Sequence, residues 1–431
     1  MSKNWSITAD WALLEQGSPE ERAGFAALGI SAYGVCLTAG HDRLLQSIRQ
    51  APFLSAYHLA EWLAWNWWRL RWEPRKAGVE WELSHDMASI GNGYIWPNIQ
   101  IASDGSTIAL VAKPTPEREN TPYRYINDVT SLISAAEFEG EVDLFIEAVI
   151  RRLESLQIVE SNLADIWRSV LLERQDPERS RYRKLEALLG EDPDEMDETV
   201  LRRWLADASL TGQAALEEIA ASRVLGQELP DLRHLVEVAR SKGAHANPAD
   251  RATFAPGTDL RKGASPAWEA GVTSARLLRT QLGLGAKPLS NQLLAEIYGT
   301  GADLLNETKE SLEMDLSLAL VDANEARVLL RSKWQTGRRF ELARLLADAL
   351  LYPDTDPLSP ATRSTTYRQK AQRAFAAELL CPISAVDEVL AGDYSMESQQ
   401  DAAHHFNVSE LTVRTQLANN DRISRSELSD F

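Results

Sequence analysis

Two segments near the C-terminal end of the chain constrain its fold most strongly. Residues 338–351 read R-R-F-E-L-A-R-L-L-A-D-A-L-L, and 375–382 read F-A-A-E-L-L-C-P. The apolar residues of the first segment recur at intervals of three and four positions, which places these on one helix face: Leu342, Leu345, Leu346 and Ala349. The pattern therefore predicts a helix over 338–351 with Leu345 in the core.

Together, the two segments resemble the zinc-site region of the ImmA/IrrE family of metallopeptidase-like domains. That family reads R-F-T-L-A-H-E-L-G-H, followed by a Glu shortly before F-A-A-x-L-L-M-P. The resemblance is most specific at Arg339-Phe340 and at 375–382, and it extends from about 266 to about 420. It implies a zincin-like domain and, where the family motif is complete, a zinc peptidase.

The metal-binding residues of that motif are missing here. In an H-E-x-x-H site two His side chains on one helix face bind zinc, and the Glu acts as general base. Arg344, Leu345 and Asp348 stand at the positions of the first His, the Glu and the second His. No Asp or Glu lies between Asp356 and Phe375, so the third ligand is also absent; the polar residues there are Arg368, Gln369, Lys370, Gln372 and Arg373.

These substitutions predict a pseudoenzyme with no catalytic residue, no metal and no other cofactor. Arg344 keeps a fixed positive charge, Leu345 cannot accept a proton, and Asp348 would be a single ligand. Because Arg344 and Asp348 are four positions apart on a helix, we also expect an ion pair between them.

The N-terminal part of the chain, 1–158, is unusually rich in tryptophan. Nine of the 13 Trp lie in the first 96 residues, and Leu59–Trp72 reads as a helix that is apolar on most sides and therefore buried. Strands are expected over Val79–Leu83, Tyr94–Ala102 and Thr107–Ala112, with a hairpin turn at Asp104-Gly105. We expect a Trp-rich core; the alternative is a surface that binds a ligand through its rings. His85 is expected to be structural.

The rest of the chain completes a fold class that is α+β and predominantly helical. Residues 159–241 read as a helical connecting region, and the Gly- and Pro-containing stretch 242–265 as a linker. Residues 266–431 would form the ImmA/IrrE-like, zincin-like domain.

The end of that domain, 399–417, resembles a helix-turn-helix. Ser409 is expected to cap the second helix. A DNA reader would use Ser409, Thr412 and Arg414, but Glu410 and the scarcity of other basic residues favour a structural helix pair.

Composition excludes several classes of function. The net charge of −18 argues against nonspecific nucleic-acid binding, which needs clustered cations. No stretch of 18 apolar residues is present, so no transmembrane helix is expected. The N-terminus lacks signal-peptide features, and Cys36 and Cys381 belong to no motif, with Cys381 expected to be buried. These features together predict a cytoplasmic, bacterial-type protein.

Three functions follow as hypotheses. The first is a noncatalytic protein that binds another protein in its peptidase-like cleft; the residues expected to line or flank the cleft are Arg338, Arg339, Arg344, Asp348 and Glu378. The resemblance associates such proteins with regulation of phage or mobile-element repressors, stress response, toxin–antitoxin systems and defence. The alternatives are a divergent metallopeptidase, or other chemistry in the N-terminal part, and a helix-turn-helix DNA-binding regulator.

Overall fold

The computed structural model describes residues 4–117, 120–224, 227–255, 265–308, 314–322, 325–353 and 356–429. It is a mixed α+β fold that is predominantly helical, as the sequence predicts. The chain divides into two compact units, Met1–Leu201 and Arg202–Phe431. This division differs from the expected boundary near 158, because Leu163, Trp167 and Val170 join the Trp-rich core of the first unit.

The first unit contains three antiparallel sheets and seven helices among its described residues. Its strands are β1 (Trp5–Trp11), β2 (Phe25–Ala32), β3 (Val35–Cys36), β4 (Gly40–Asp42), β5 (Ser47–Arg49), β6 (Phe53–Ser55), β7 (Asn98–Ser103), β8 (Thr107–Lys113), β9 (Tyr123–Tyr125) and β10 (Val129–Ser134). The sheet orders are β1-β2-β3 with β6 also on β2, β10-β8-β7, and β5-β4-β9. Its helices are α1 (Pro19–Ala23), α2 (Ala56–Trp65), α3 (Trp67–Trp72), α4 (Val79–His85), α5 (Ala135–Ser155), α6 (Asn162–Gln175) and α7 (Pro177–Leu189).

The β7–β8 hairpin and the Trp-rich core confirm two of the predictions. The Asp104 carboxylate accepts the Ser106 and Thr107 backbone N–H groups at 3.1 and 2.7 Å, and Gly105 has a φ of +93°, which a residue without Cβ adopts readily. Trp5, Trp67, Trp68, Trp96 and Trp167 are all buried in one apolar cluster. The indoles therefore serve mainly as core.

Two predictions in this unit are wrong. Val79–Leu83 is helical rather than extended, because Val79 and Leu83 are exposed and only Trp81 is buried, stacking on His85 one turn later with ring centroids 4.3 Å apart. The helix expected over Leu59–Trp72 is two helices, since Asn66 ends α2 and begins α3. The alternation of apolar and acidic residues in V-E-W-E-L is typical of a strand. The buried residues are instead Trp81, Ser84 and His85, which have the spacing of one helix face.

The second unit is built around one four-stranded antiparallel sheet. Its strands are β11 (Ala244–Ala246), β12 (Ser317–Asp322), β13 (Glu325–Leu329) and β14 (Leu358–Ala361), in the order β11-β13-β12-β14. The helices are α8 (Glu198–Thr211, which begins in the first unit), α9 (Gln213–Ala221), α10 (Leu232–Lys242), α11 (Ala267–Gln281), α12 (Asn291–Tyr298), α13 (Gln335–Leu351), α14 (Tyr367–Leu380), α15 (Ile383–Leu390), α16 (Met396–Phe406) and α17 (Glu410–Asn419).

The expected linker over 242–265 is in part built into this unit. Lys242 ends α10, and β11 pairs with β13, so the first part of the stretch is an edge strand of the sheet. The Asn247 N–H also donates to the Gly299 carbonyl at 2.8 Å. Ala-His-Ala carries no strand pattern, which is why the sequence did not indicate β11. Residues 256–264 of the predicted linker lie outside the described residues.

None of the helices in the described part of the chain combines the length and hydropathy needed to cross a lipid bilayer.

Candidate functional site

Helix α13 carries the degenerate motif and is buried on nearly all sides. It forms over Gln335–Leu351, which confirms the predicted helix, and packs against α14 and β14. Leu342, Leu345 and Leu346 have no exposed surface, so Leu345 lies in the core, as the apolar pattern predicts. Arg344 and Asp348 are buried on the same helix, and polar groups in such positions require partners within the protein.

Asp348 has its carboxylate fully engaged by α14. Oδ1 accepts hydrogen bonds from Arg368 Nε at 2.6 Å and from Gln372 Nε2 at 2.7 Å, and Oδ2 accepts from Arg368 Nη2 at 2.6 Å. This two-pronged guanidinium–carboxylate pair is the strongest geometry available to these groups. The predicted ion pair between Arg344 and Asp348 is therefore wrong, because Arg368 reaches both carboxylate oxygens at once from the neighbouring helix.

Arg344 faces backbone and amide oxygens instead. Its Nη2 donates to the Thr362 carbonyl at 2.6 Å, to Gln369 Oε1 at 2.5 Å and to Gln372 Oε1 at 3.3 Å. Burial, reinforced by the charge of Arg373, lowers the pKa of Arg344 to about 9. The guanidinium therefore stays charged at neutral pH, and Arg344 is a second buried cation beside Arg368.

A carboxylate from far away in the sequence completes this region. Glu218, on α9, is buried and accepts a hydrogen bond from Thr366 Oγ1 at 2.7 Å. Burial raises the pKa of Glu218 to about 7. Asp356 holds the start of the same helix, since its Oδ2 accepts the Ala215 N–H at 2.8 Å. We refer to these six side chains as the polar cluster: Glu218, Arg344, Asp348, Arg368, Gln369 and Gln372.

Nothing in the sequence points to Glu218, because its helix has the pattern of an ordinary amphipathic segment. From the sequence alone, Arg368, Gln369 and Gln372 are only residues that cannot replace a carboxylate metal ligand. These three are the second, third and sixth residues of α14. This spacing places them on one face of the helix, and it is the signal that could have predicted a polar face toward α13.

The donor set does not fit a zinc ion. Asp348 is the one carboxylate at the motif positions, and three hydrogen bonds already occupy it. Two arginines lie in the same cluster, and their charge opposes a divalent cation. Within the described ranges, no group of three or more His, Cys, Asp or Glu side chains is arranged to hold a metal.

The other residues expected to line a cleft also bond internally. Arg339 has no exposed surface; its Nε donates to the Asn407 carbonyl at 2.9 Å and its Nη2 to the Leu289 carbonyl at 2.6 Å. Glu378 is buried and accepts hydrogen bonds from Arg276 Nε at 2.7 Å and Gln416 Nε2 at 3.0 Å.

Arg338 is half-buried, and its Nε donates to the Leu304 carbonyl at 2.7 Å. An accessible cleft was expected at Arg338, Arg339, Arg344, Asp348 and Glu378. The structure does not fit this expectation, because four of these side chains are buried, Arg338 is half-buried, and all five bond to other groups of the protein.

The predicted helix pair forms, but it presents little to DNA. Ser409 caps α17, accepting the Thr412 N–H at 3.2 Å, as expected. Arg414 is buried and its Nη2 donates to the Glu427 carbonyl, so it does not project from the helix. The exposed start of α17 offers Glu410 and Leu411, an acid and an apolar residue, which a phosphate backbone does not attract. This arrangement favours the structural interpretation of 399–417.

His85, in the first unit, is structural as predicted. The ring is fully buried, with Nδ1 2.8 Å from the Trp81 carbonyl oxygen and Nε2 3.4 Å from that of Arg69. Burial lowers the pKa of His85 to about 3, so it is neutral at physiological pH.

Comparison with known proteins adds no relative: no family model, no curated protein and no solved structure matches the chain.

Proposed function

We propose that the chain is a noncatalytic member of the ImmA/IrrE-like class, a regulatory or defence-associated protein that acts by binding another protein. One observation carries the proposal: Arg368 and Gln372 occupy the Asp348 carboxylate where a metal would need it. Leu345, fully buried, leaves the general-base position without an ionisable group. The two motif segments lie on α13 and α14, which pack together, and this placement supports a zincin-like ancestry for the second unit.

The proposed partner would bind on the outer surface rather than in a cleft. The polar cluster is closed to solvent, so a peptide segment has no access to Asp348 or Arg344. The alternatives have less support. A divergent metallopeptidase lacks ligands, and a helix-turn-helix DNA reader would have to expose Arg414, which is buried.

Metal content provides the direct test. We expect elemental analysis of the purified full-length chain to find zinc far below one ion per chain, with no hydrolysis of an unfolded protein substrate. Asp348→Asn, which keeps an oxygen acceptor in the same place, is the variant to compare. Stoichiometric zinc in the native chain that disappears in Asp348→Asn would overturn the noncatalytic proposal.

Binding requires a separate measurement. We expect an affinity-tagged chain, purified after crosslinking in its native host, to retain a defined protein partner in stoichiometric amount. Recovery of DNA fragments of one sequence, in place of a protein, would instead support the DNA-binding alternative.

A further inference from the structure

The turn that leads into β7 contains the chain's only Asn-Gly dipeptide, Asn92-Gly93. Gly91, Asn92 and Gly93 are all exposed, and the φ angles of Asn92 and Gly93 are +56° and +79°. Two consecutive left-handed residues are typical of a tight turn, in which asparagine and glycine are the favoured pair. The reactivity of this pair is independent of the proposed binding function.

An asparagine followed by glycine can react with its own backbone. Solvent base removes the Gly93 N–H proton, the nitrogen attacks Asn92 Cγ, and the side-chain nitrogen leaves as ammonia with a proton from water. The product is a five-membered succinimide, which water then opens at one of its two carbonyls to give aspartate or isoaspartate. The attack is intramolecular, and no Cβ on Gly93 obstructs it.

Within the part of the chain that the structure describes, nothing holds the two reacting groups. Neither the Asn92 amide nor the Gly93 N–H has a hydrogen-bond partner there. Apart from its chain neighbours, no atom lies within 4 Å of the position that a Cβ on Gly93 would take. The hydrogen bond across the turn, from the Tyr94 N–H to the Gly91 carbonyl, is 3.3 Å, longer than is usual. Solvent therefore reaches the Gly93 nitrogen, and the turn opens at small cost.

The other turn of this unit with the same potential chemistry, Asp104-Gly105, is held closed. Asp104 is 5% exposed, and its carboxylate accepts two backbone N–H groups. The Gly105 N–H, which would have to attack, donates to Ser103 Oγ at 3.0 Å. Of these two turns, the one at Asn92 has both reacting groups free.

We propose that Asn92 is a site of spontaneous deamidation through a succinimide formed with Gly93. The reaction adds a negative charge to the surface, and the isoaspartate product also adds a CH₂ group to the main chain. That group enters next to Gly91, whose carbonyl accepts the Nε1–H of the buried Trp96 at 2.8 Å. The modification therefore acts on the anchoring of a core indole as well as on charge.

Peptide mapping by mass spectrometry, during incubation of the folded full-length chain, tests this assignment. We expect the mass shift of an amide-to-acid conversion to accumulate at position 92, and faster at pH 8 than at pH 6, because the attacking nitrogen must lose its proton. Part of the product should elute apart from the same peptide of Asn92→Asp, since isoaspartate differs from aspartate in its backbone. Gly93→Ala, which places a Cβ beside the nitrogen, should slow the conversion severalfold.

Asn98 is the matched control in the neighbouring strand, because the branched side chain of Ile99 obstructs the corresponding attack. It should keep its amide over the same incubation. Retention of the Asn92 amide in the folded chain would overturn the proposal, with the urea-unfolded chain as the reference for a reactive Asn-Gly pair. A product that contains only aspartate, or equal conversion at Asn98, would also overturn it, because neither requires a succinimide with Gly93.

Discussion

Each unit buries a glutamate among charged side chains, and the two clusters are assembled differently. In the first unit Glu73 lies 2.8 Å from Arg69 Nε, 3.6 Å from Lys76 Nζ and 3.7 Å from His85 Nε2, all within one short stretch of sequence. In the second unit Glu218 meets Thr366, 148 residues away, and its neighbours come from α13 and α14. Local spacing therefore organises the first cluster, and tertiary structure alone organises the second.

The difference has an electrostatic consequence. Glu73 has two cations within reach, whereas the hydrogen bond to Glu218 comes from a neutral hydroxyl. Burial raises the pKa of both carboxyls, and for Glu218 it reaches about 7. The first unit instead holds a neutral His85 whose pKa is about 3. His85 in the first unit and Glu218 in the second should therefore change stability in opposite directions with pH.

The largest expected effect comes from removing Arg368, the cation of the polar cluster that pairs with Asp348. Arg368→Ala leaves the Asp348 carboxylate buried without the guanidinium that binds both of its oxygens, which costs roughly 3–5 kcal/mol. Hydrogen–deuterium exchange, normalised to unfolded rates, should show reduced protection of the backbone N–H groups in α13 and α14. The N–H groups of α2 and α3 in the first unit should keep their protection.

The double variant Arg368→Met with Asp348→Leu is the control for this prediction. It removes both charges, so it should be less destabilising than Arg368→Ala alone. If the single and double variants lose equal protection, packing rather than charge explains the effect.

A smaller effect is expected for the first unit on acidification. The folded-state pKa of His85 lies below its ordinary value of 6.5, so the unfolded chain binds the proton first. Stability is complete above about pH 6.5 and declines as the pH falls toward 4, by on the order of 3 kcal/mol for this group. Urea unfolding of the first unit, followed by tryptophan fluorescence, should show a weaker decline between pH 7 and 4 in His85→Gln than in the native chain. An equal decline of stability with pH in both chains would show that His85 does not cause it.

The smallest effect is expected for Glu218 and has the opposite sign. Its folded-state pKa is raised above 4.5, so its contribution is complete below that pH and is lost as the pH rises through about 7. Between pH 5 and pH 8, the protection of α9 and α14 against hydrogen exchange in Glu218→Gln should therefore rise relative to the native chain, by roughly 2–3 kcal/mol. Glu217→Gln makes the same change at a half-exposed neighbour and should follow the native chain at both pH values. A Glu218→Gln variant with less protection at pH 8 would show that its charge is needed.

The same comparison explains which features were predictable from sequence. Helix α13, the core position of Leu345, the Asp104-Gly105 hairpin and the Ser409 cap all follow from residues close together in the chain. The partner of Asp348 does not follow from local spacing. The four-residue interval predicts Arg344, whereas tertiary packing brings Arg368 of α14 to the carboxylate.

Burial was the second quantity that local patterns could not supply. The sequence shows which residues occupy positions 344, 345 and 348, but not whether the space around them is open or filled. That depends on α9, whose Glu218 reaches Thr366 only in the folded unit.

The contact between Glu218 and Thr366 also bears on how the chain is made. During synthesis α9 leaves the ribosome well before α14 exists, and at about 5–20 residues per second the separation of 148 residues corresponds to roughly ten seconds or more. Throughout that interval α9 is without β14, the strand that it packs against in the folded unit. The second unit is thus expected to expose α9 to misassociation during translation until β14 and α14 emerge.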